Sequence, residues 1–424
     1  MNQMKKYLET NELLSPTQHA YRPHRSCATA WCEMDTWIQK SRDQGLHTSL
    51  VSTDNSAAFN VITSQLLVRK MELLGFTVQA RAFVKSYMTG RQVTCHVGTA
   101  TSSAIKIEVG VGEGSCSGPD FWNVAIIDVS AVPTCAMVKV ERENMENVKM
   151  SSQTFADDCT GEVAAKTEDD LEKASNILMS EYKDYFTSAG LKINESKCCL
   201  LVMRRSAKTR DLVFANGDLE VKQMKLLGLK VESGYVFDKH VDSVIQRCNY
   251  RLSNIARVAH HMPQHVLKRT VEALVLSIMR YGLEVYCKNL TQISKLQKCL
   301  NSALRLVTNG DRYTSIESML RKTVWNNVPN MIREQKVSML IKTIRTRVCM
   351  RSFELLERIK TNTRSSPETL SWHHKTSFGD KSFLVSSWKI FKNIGLTAHS
   401  FDDTNNQKVR LKFMLWQHYG NENI

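Results

Sequence analysis

Phe155-Ala156-Asp157-Asp158 is the stretch on which the reading of this chain turns. Lys149 to Ala156 rises to the acid pair as a strand and Thr160 to Ala165 returns beside it, so a hairpin tip is expected to carry Asp157 and Asp158. Strand interiors disfavour consecutive aspartates, and like charges so close raise one another's pKa unless a cation neutralises them. Mg²⁺ does so, binding through one or two carboxylates plus substrate phosphates. Asp-Asp recurs elsewhere with blander readings. Asp169-Asp170 follows Thr167 and opens an amphipathic run, as at a helix N-terminus, whereas Asp402-Asp403 leads into Thr404-Asn405-Asn406, a loop.

Working outward, Asp54 is the natural third acid. It ends the apolar strand Leu50-Val51-Ser52-Thr53, the close of a strand expected over Thr48 to Thr53. If that strand lies beside the hairpin, three carboxylates converge on one point; otherwise Asp54 is a turn or helix-cap residue. Between the two acidic features lies a glycine-dense loop, Gly110, Gly112, Gly114 and Gly118, closed by Pro119. Glycine lets a nucleotide approach the backbone closely. The Walker pattern Gly-x4-Gly-Lys-Ser/Thr is absent, which argues against a P-loop nucleotidase.

Helices are expected over Ser64 to Leu74, stopped by Gly75, over Ala80 to Met88, and over the apolar Phe121 to Val129. Thr167 to Ala189 is the clearest, with Leu171, Ala174, Leu178, Tyr182 and Tyr185 on one face. Gln92 to Val97, Lys192 to Met203 and Gln223 to Val231 around Gly228 read as strands. Beyond residue 240 the pattern turns helical, over Val241 to Ala259, Pro263 to Tyr281 and Thr291 to Leu306, with Thr361 to Pro367 as a polar linker.

With 57 Lys and Arg against 42 acidic residues, the 424-residue chain carries +15, which favours a polyanionic partner, most simply nucleic acid. Its twelve cysteines contain no Cys-x2-Cys pair, fitting reduced, buried thiols rather than a zinc ribbon or a disulfide framework. His260, His261 and His265 are interrupted by Pro263, and no zinc site is expected there. No apolar run is read as approaching membrane-spanning length and Met1 to Glu12 is polar, so a soluble intracellular protein is expected, in nucleus or cytoplasm, with no membrane partner.

The order of the motifs resembles the reverse transcriptases of non-LTR (LINE-type) retrotransposons along nearly the whole chain. Ser15-Pro16-Thr17-Gln18-His19-Ala20-Tyr21-Arg22 through Arg25-Ser26 resembles the family's opening Gln-x-Gly-Phe-Arg block. Asp54-Asn55-Ser56-Ala57-Ala58-Phe59-Asn60 looks like motif A, Gly110 to Pro119 like motif B, Phe155 to Asp158 like motif C, and Gly190 through Lys197 like motif D. Leu226-Leu227-Gly228 is similar to the primer-grip hairpin, Tyr281-Gly282-Leu283-Glu284-Val285 to the thumb, and Ser382-Phe383 through Trp388 to the C-terminal tail. The resemblance implies an α/β (α+β) fold: right-hand fingers and palm over 1–240, a helical thumb over 241–310 and a helical extension over 311–424.

It also implies RNA-directed DNA synthesis from an RNA template, a DNA primer and deoxynucleoside triphosphates. Asp54, Asp157 and Asp158 would be catalytic and hold two Mg²⁺ ions, with Mn²⁺ as a substitute. Phe59 would stack under the deoxyribose as a steric gate, or simply pack in the core. Gly114 would let the loop reach the nucleotide, Lys197 would neutralise the pyrophosphate, and Lys288, Lys295, Lys298 and Arg305 would hold duplex phosphates. Glu113 stands where the family usually has Gln beside the nucleotide, where a carboxylate repels the triphosphate. Gly112 replaces the usual Pro and Asn60 a second Asp. The segment before Gln18 is short for the family and no endonuclease precedes it, so a truncated copy is expected. Two rivals follow: an impaired remnant that binds nucleic acid without polymerising, and an unrelated Mg²⁺-dependent nuclease, which leaves the later motifs unexplained.

Overall fold

A computed structural model describes residues 2–56, 58–112, 114–204, 211–214, 217–346, 348–349, 356–358, 368–370, 375–394, 411, 414 and 419. Glu113, the 361–367 linker and Asp402-Asp403 lie outside the described residues. The class is mixed α/β, and the chain divides into two compact units, one of residues 1–30 and 46–221 and the other of 31–45 and 222–424.

The first unit is built on a four-stranded antiparallel sheet. Its strands are β1 (His47–Thr53), β2 (Lys149–Phe155), β3 (Asp158–Ala165) and β4 (Cys199–Met203), in the order β4-β1-β3-β2. β3 is buried at every position after Asp158, and β1 at all but His47 and Ser52. Strands covered on both faces read as continuous rather than alternating runs. Helix Glu168–Ser188 covers one face: Leu171, Ala174, Leu178 and Tyr182 are fully buried, and Ser49 Oγ meets Ser175 Oγ at 2.8 Å across the interface. Each such leucine contributes about 2 kcal/mol of burial. The helix starts where Thr167 accepts a bond from Asp170 N at 3.1 Å, so Asp169-Asp170 does open a helix.

Three local expectations need correcting. The strand over Gln92 to Val97 is two pieces, Arg91–Val93 and His96–Val97, paired with Ile105–Ile107 and Ala100–Thr101 across a turn in which Gly98 has φ +61°. Lys192 to Met203 is interrupted by a 3-10 turn at Glu195–Lys197. Residues 118–142 are long and apolar enough to cross a membrane, contrary to the sequence reading. They fold as helix Gly118–Ala125, a 3-10 turn and helix Val132–Arg142, with Phe121, Trp122, Val124, Ala136 and Val140 in the core cluster. That placement is a core helix's, and periodicity alone does not distinguish the two.

The second unit is mainly helical. Hairpin Gln223–Leu226/Leu229–Glu232 turns through Leu227 (φ +42°) and Gly228 (φ +83°), where the hydroxyl of Tyr281 donates to Leu227 O at 2.8 Å. Long helices follow at Asp238–Val258, Leu290–Thr308 and Val328–Thr346. The helix expected over Pro263 to Tyr281 contains a π turn at Glu272–Leu276, and Ser277 Oγ bonds back to Ala273 O at 2.5 Å, competing with the helical ladder. The extension beyond 311 is not wholly helical, since Leu356–Arg358 pairs with Glu368–Leu370.

One strained residue here gives a direct test. Helix Ile316–Thr323 ends at Val324, which sits at φ +56° with its side chain 71% exposed, while Trp325 N closes the cap on Leu320 O at 3.1 Å. A β-branched residue in the left-handed region is strained by about 1–2 kcal/mol, and glycine is the usual cap there. Val324→Gly is expected to raise unfolding stability by roughly 0.5–1 kcal/mol after glycine's entropy cost, read as a higher denaturant midpoint at unchanged slope. A lowered midpoint contradicts it.

Candidate active site

The hairpin tip is a two-residue loop, because Phe155 pairs with Asp158 and leaves Ala156 and Asp157 between them. Ala156 has φ +56°, the sign that the first residue of a type II′ turn requires and that glycine usually supplies. The indole of Trp122 donates to Ala156 O at 2.8 Å and holds the turn in this conformation. Buried tryptophans need a partner for their N–H, so this bond fixes the glycine-loop helix against the hairpin.

Asp54 lies one residue past Thr53, whose ladder partner is Cys159, so the antiparallel register sets Asp54 opposite Asp158. The strand pairing on which the expected convergence depends is therefore present, between β1 and β3. Asn55 Nδ2 donates to Asp157 O at 3.2 Å and ties the two acidic loops together. Asn194 N donates to Asp54 O at 2.8 Å, and Lys197 Nζ lies 3.2 Å from Asp54 Oδ2. Lys197, to which the resemblance gives the pyrophosphate, rests here on Asp54 as an exposed cation.

The electrostatics show the strain of gathering these groups. The carboxyl of Asp158 is pushed from 3.8 up to about 6 by the protein packed around it, then by the Asp157 and Asp54 charges. The Tyr21 phenol is pushed up by burial and by Asp157, which places this half-exposed ring beside the acids. Among the described residues, no three acidic, imidazole or thiol groups are already closed around a point at metal-ligand spacing. Even so, oxygen-only donors, with the Asp158 carboxyl raised beside the other two, suit a hard divalent cation, which relieves the repulsion.

A pH prediction follows. A carboxyl whose folded pKa is raised contributes stability that is complete below about pH 4 and is lost as pH rises through about 6. A divalent cation on the same oxygens restores it above that range. Millimolar Mg²⁺ is expected to raise the melting temperature at pH 7.5 and to do little at pH 5. Equal shifts at both pH values rule this out.

Phe59 lies in the 3-10 turn Ala58–Val61, its ring half-buried, 5.3 Å from Trp122 and 6.3 Å from Tyr21 between centroids. It packs against both rings. The glycine loop docks on this turn: Val111 N donates to Phe59 O at 2.7 Å, and a Cβ on Gly110 would meet Asn60 O at 2.7 Å. Gly114 has φ +80°, with nothing within 4 Å of a Cβ, so backbone conformation rather than crowding calls for glycine. Thr17 and His19 flank β2, with Thr154 N donating to Thr17 O and His19 N to Thr154 O, both at 2.9 Å. Arg22 is taken up by Glu9, at 3.0 and 2.8 Å.

Sequence reasoning missed Trp122 and Asn55 as parts of the site. The signal for Trp122 was available: an indole in an apolar helix just after the glycine loop must find an acceptor. It also misread Lys288, whose ammonium is buried against Asp35 and lies 4.3 Å from the Tyr235 ring, so it is not a surface phosphate contact. Of the other three, Lys295 pairs with Asp242 at 2.8 Å, Arg305 Nε donates to Asp311 O at 3.3 Å, and Lys298 is exposed.

Comparison with known proteins gives a consistent result. Residues 1–231 match the sequence family described as reverse transcriptase (RNA-dependent DNA polymerase). The chain is 22% identical over 328 residues to a probable RNA-directed DNA polymerase from transposon BS of Drosophila melanogaster, covering 74% of this chain and 34% of the relative. It is 26% identical over 244 residues to the RNA-directed DNA polymerase from mobile element jockey of Drosophila melanogaster, covering 55% of this chain and 25% of the relative. The chain therefore spans about a third or less of these relatives' length. Among solved structures, apo telomerase from Candida tropicalis aligns at 10% identity and a TM-score of 0.40, over 97% of this chain and 60% of that chain.

Proposed function

Because the chain belongs to the reverse transcriptase family, we propose that it is an RNA-directed DNA polymerase that extends a primer 3′-hydroxyl on an RNA template. The observation that carries this is the register that sets Asp54 opposite Asp158 at the tip bearing Asp157. In this reading the three aspartates hold two Mg²⁺ ions, which lower the pKa of the primer hydroxyl and neutralise charge on the incoming triphosphate.

The chain's own residues do the rest. Trp122 and Asn55 keep the acids in place through Ala156 O and Asp157 O. Phe59 shapes the sugar pocket against a 2′-hydroxyl. Gly114 gives the loop the backbone conformation to meet the nucleotide. Lys197 moves from Asp54 to the departing pyrophosphate, as one cation serving two anions in turn. Glu113 would face the triphosphate, and the sequence alone speaks for it. Functionally, we assign fingers and palm to 1–240, thumb to 241–310 and extension to 311–424, in a soluble intracellular enzyme of a non-LTR element.

The test is extension of a DNA primer on an RNA template with deoxynucleotides and Mg²⁺, against an EDTA control. Metal-dependent products longer than the primer support the reading. Tight, salt-sensitive duplex binding without extension, under Mg²⁺ and Mn²⁺ alike and unrescued by Glu113→Gln, would replace it with a binding remnant.

A further inference from the structure

The proposed reaction gives no part to Tyr21, although its ring lies beside the aspartates. The Tyr21 backbone is at φ +62°, in the left-handed region that a residue with a large side chain rarely adopts. The fold holds it there from both sides. Asn123 Nδ2 donates to Ala20 O at 3.3 Å, Ala20 N donates to Gln18 Oε1 at 3.0 Å, and Lys5 Nζ donates to Tyr21 O at 2.8 Å. Arg22, the next residue, is fastened by its two bonds to Glu9 and by Nη1 donating to Ser15 O at 2.5 Å. Burial of the ring does not account for this fastening, because Tyr21 keeps 40% of its surface exposed. A strained conformation so over-determined points to a role for the side chain.

What the ring touches identifies that role. Tyr21 meets Phe59 edge-on, with centroids 6.3 Å apart and the planes at 77°. Phe59 is also met by Trp122, at 5.3 Å and a tilt of 35°. Trp122 is fully buried and bonded to Ala156 O, so it does not give way. The Phe59 backbone is fixed in its turn, since its carbonyl oxygen accepts from Val111 N at 2.7 Å. What remains free is rotation of the Phe59 side chain, a choice among staggered rotamers. Tyr21 and Trp122 restrict that choice, and an edge-to-face aromatic pair adds a preferred direction. One helix, Gly118–Ala125, positions both neighbours: it carries Trp122, and it holds the backbone before Tyr21 through Asn123.

We propose that Tyr21 is a positioning residue for sugar selection: edge-on to Phe59, it holds that ring where it excludes a ribose 2′-hydroxyl. The inference rests on the reading of this chain as a polymerase with Phe59 at the sugar. The action of Tyr21 passes through Phe59 rather than through a contact with the nucleotide.

The experiment is single-nucleotide extension of a DNA primer on an RNA template by the full chain in Mg²⁺, with deoxyadenosine triphosphate and adenosine triphosphate in separate reactions. Discrimination is the ratio of the two kcat/KM values. Tyr21→Leu is expected to lower it about three- to tenfold, the worth of one aromatic pair, through a gain for the ribonucleotide. Tyr21→Phe keeps the ring and is expected to stay within about twofold of native. Phe59→Ala lowers discrimination at least as far as Tyr21→Leu, and adding Tyr21→Leu to it changes nothing further, because the two rings act as one unit. A residue that only stabilised the fold would lower both reactions alike and leave the ratio in place. Native discrimination in Tyr21→Leu, an equal loss in Tyr21→Phe, or an additional loss in the double variant overturns the proposal while Phe59 keeps its role. Unchanged discrimination in Phe59→Ala overturns the Phe59 reading and the proposal together. Absence of extension by the native chain removes both through the polymerase reading itself.

Discussion

Asp157→Asn abolishes primer extension, lowering the rate by roughly 10³-fold or more, about 4 kcal/mol of transition-state stabilisation. The substitution keeps the shape of the side chain and leaves the Asp157 backbone oxygen to accept from Asn55, so the hairpin stays folded. What it removes is one negative charge from the trio. Duplex affinity, set by phosphate contacts, stays within a few-fold of native, which separates loss of chemistry from loss of binding. The substitution also takes away a charge that raises the Asp158 pKa, so the pH above which Mg²⁺ stabilises the protein moves down. Extension within tenfold of native would remove Asp157 from the metal-holding set.

Asp35→Ala destabilises the second unit by about 3–5 kcal/mol, the usual result of removing one partner from a buried ion pair. Asp35 is wholly buried on helix Cys27–Asp43 and accepts from Lys288, Tyr235 and Phe383, which come from distant parts of the sequence. Without it, Lys288 is left as an unpaired ammonium inside the unit. Adding Lys288→Met to Asp35→Ala is expected to recover about half of the loss or more, because the isolated charge rather than the empty volume dominates it. Denaturant unfolding of the three variants decides this. A single-variant loss below 1 kcal/mol, or no recovery in the double variant, shows that the pair contributes little.

Much of the fold was legible because its signals are local. The hairpin at Phe155–Asp158 reads from a strand ended by two acids, and helix Glu168–Ser188 from its Thr167 cap and apolar stripe. Hairpin Gln223–Glu232 around Gly228 reads the same way. The interruptions were not legible. The π turn at Glu272–Leu276 and the 3-10 turn at Glu195–Lys197 arise where packing and side-chain bonds compete with an otherwise continuous pattern.

For the site, sequence by itself determined which residue types could act: three carboxylates, a glycine loop and a lysine, in the order of one polymerase family. Only the tertiary structure decided that Asp54 faces Asp158, because β1 could pair with several strands and the register places it between β3 and β4. It alone set Trp122 on Ala156, and it turned Lys288 from a surface cation into the buried partner of Asp35, 253 residues away in the chain. The division has a physical cause. Turn chemistry, caps and periodicity act over a few residues and are written locally, whereas charge burial and strand register depend on which distant segments exclude water from one another.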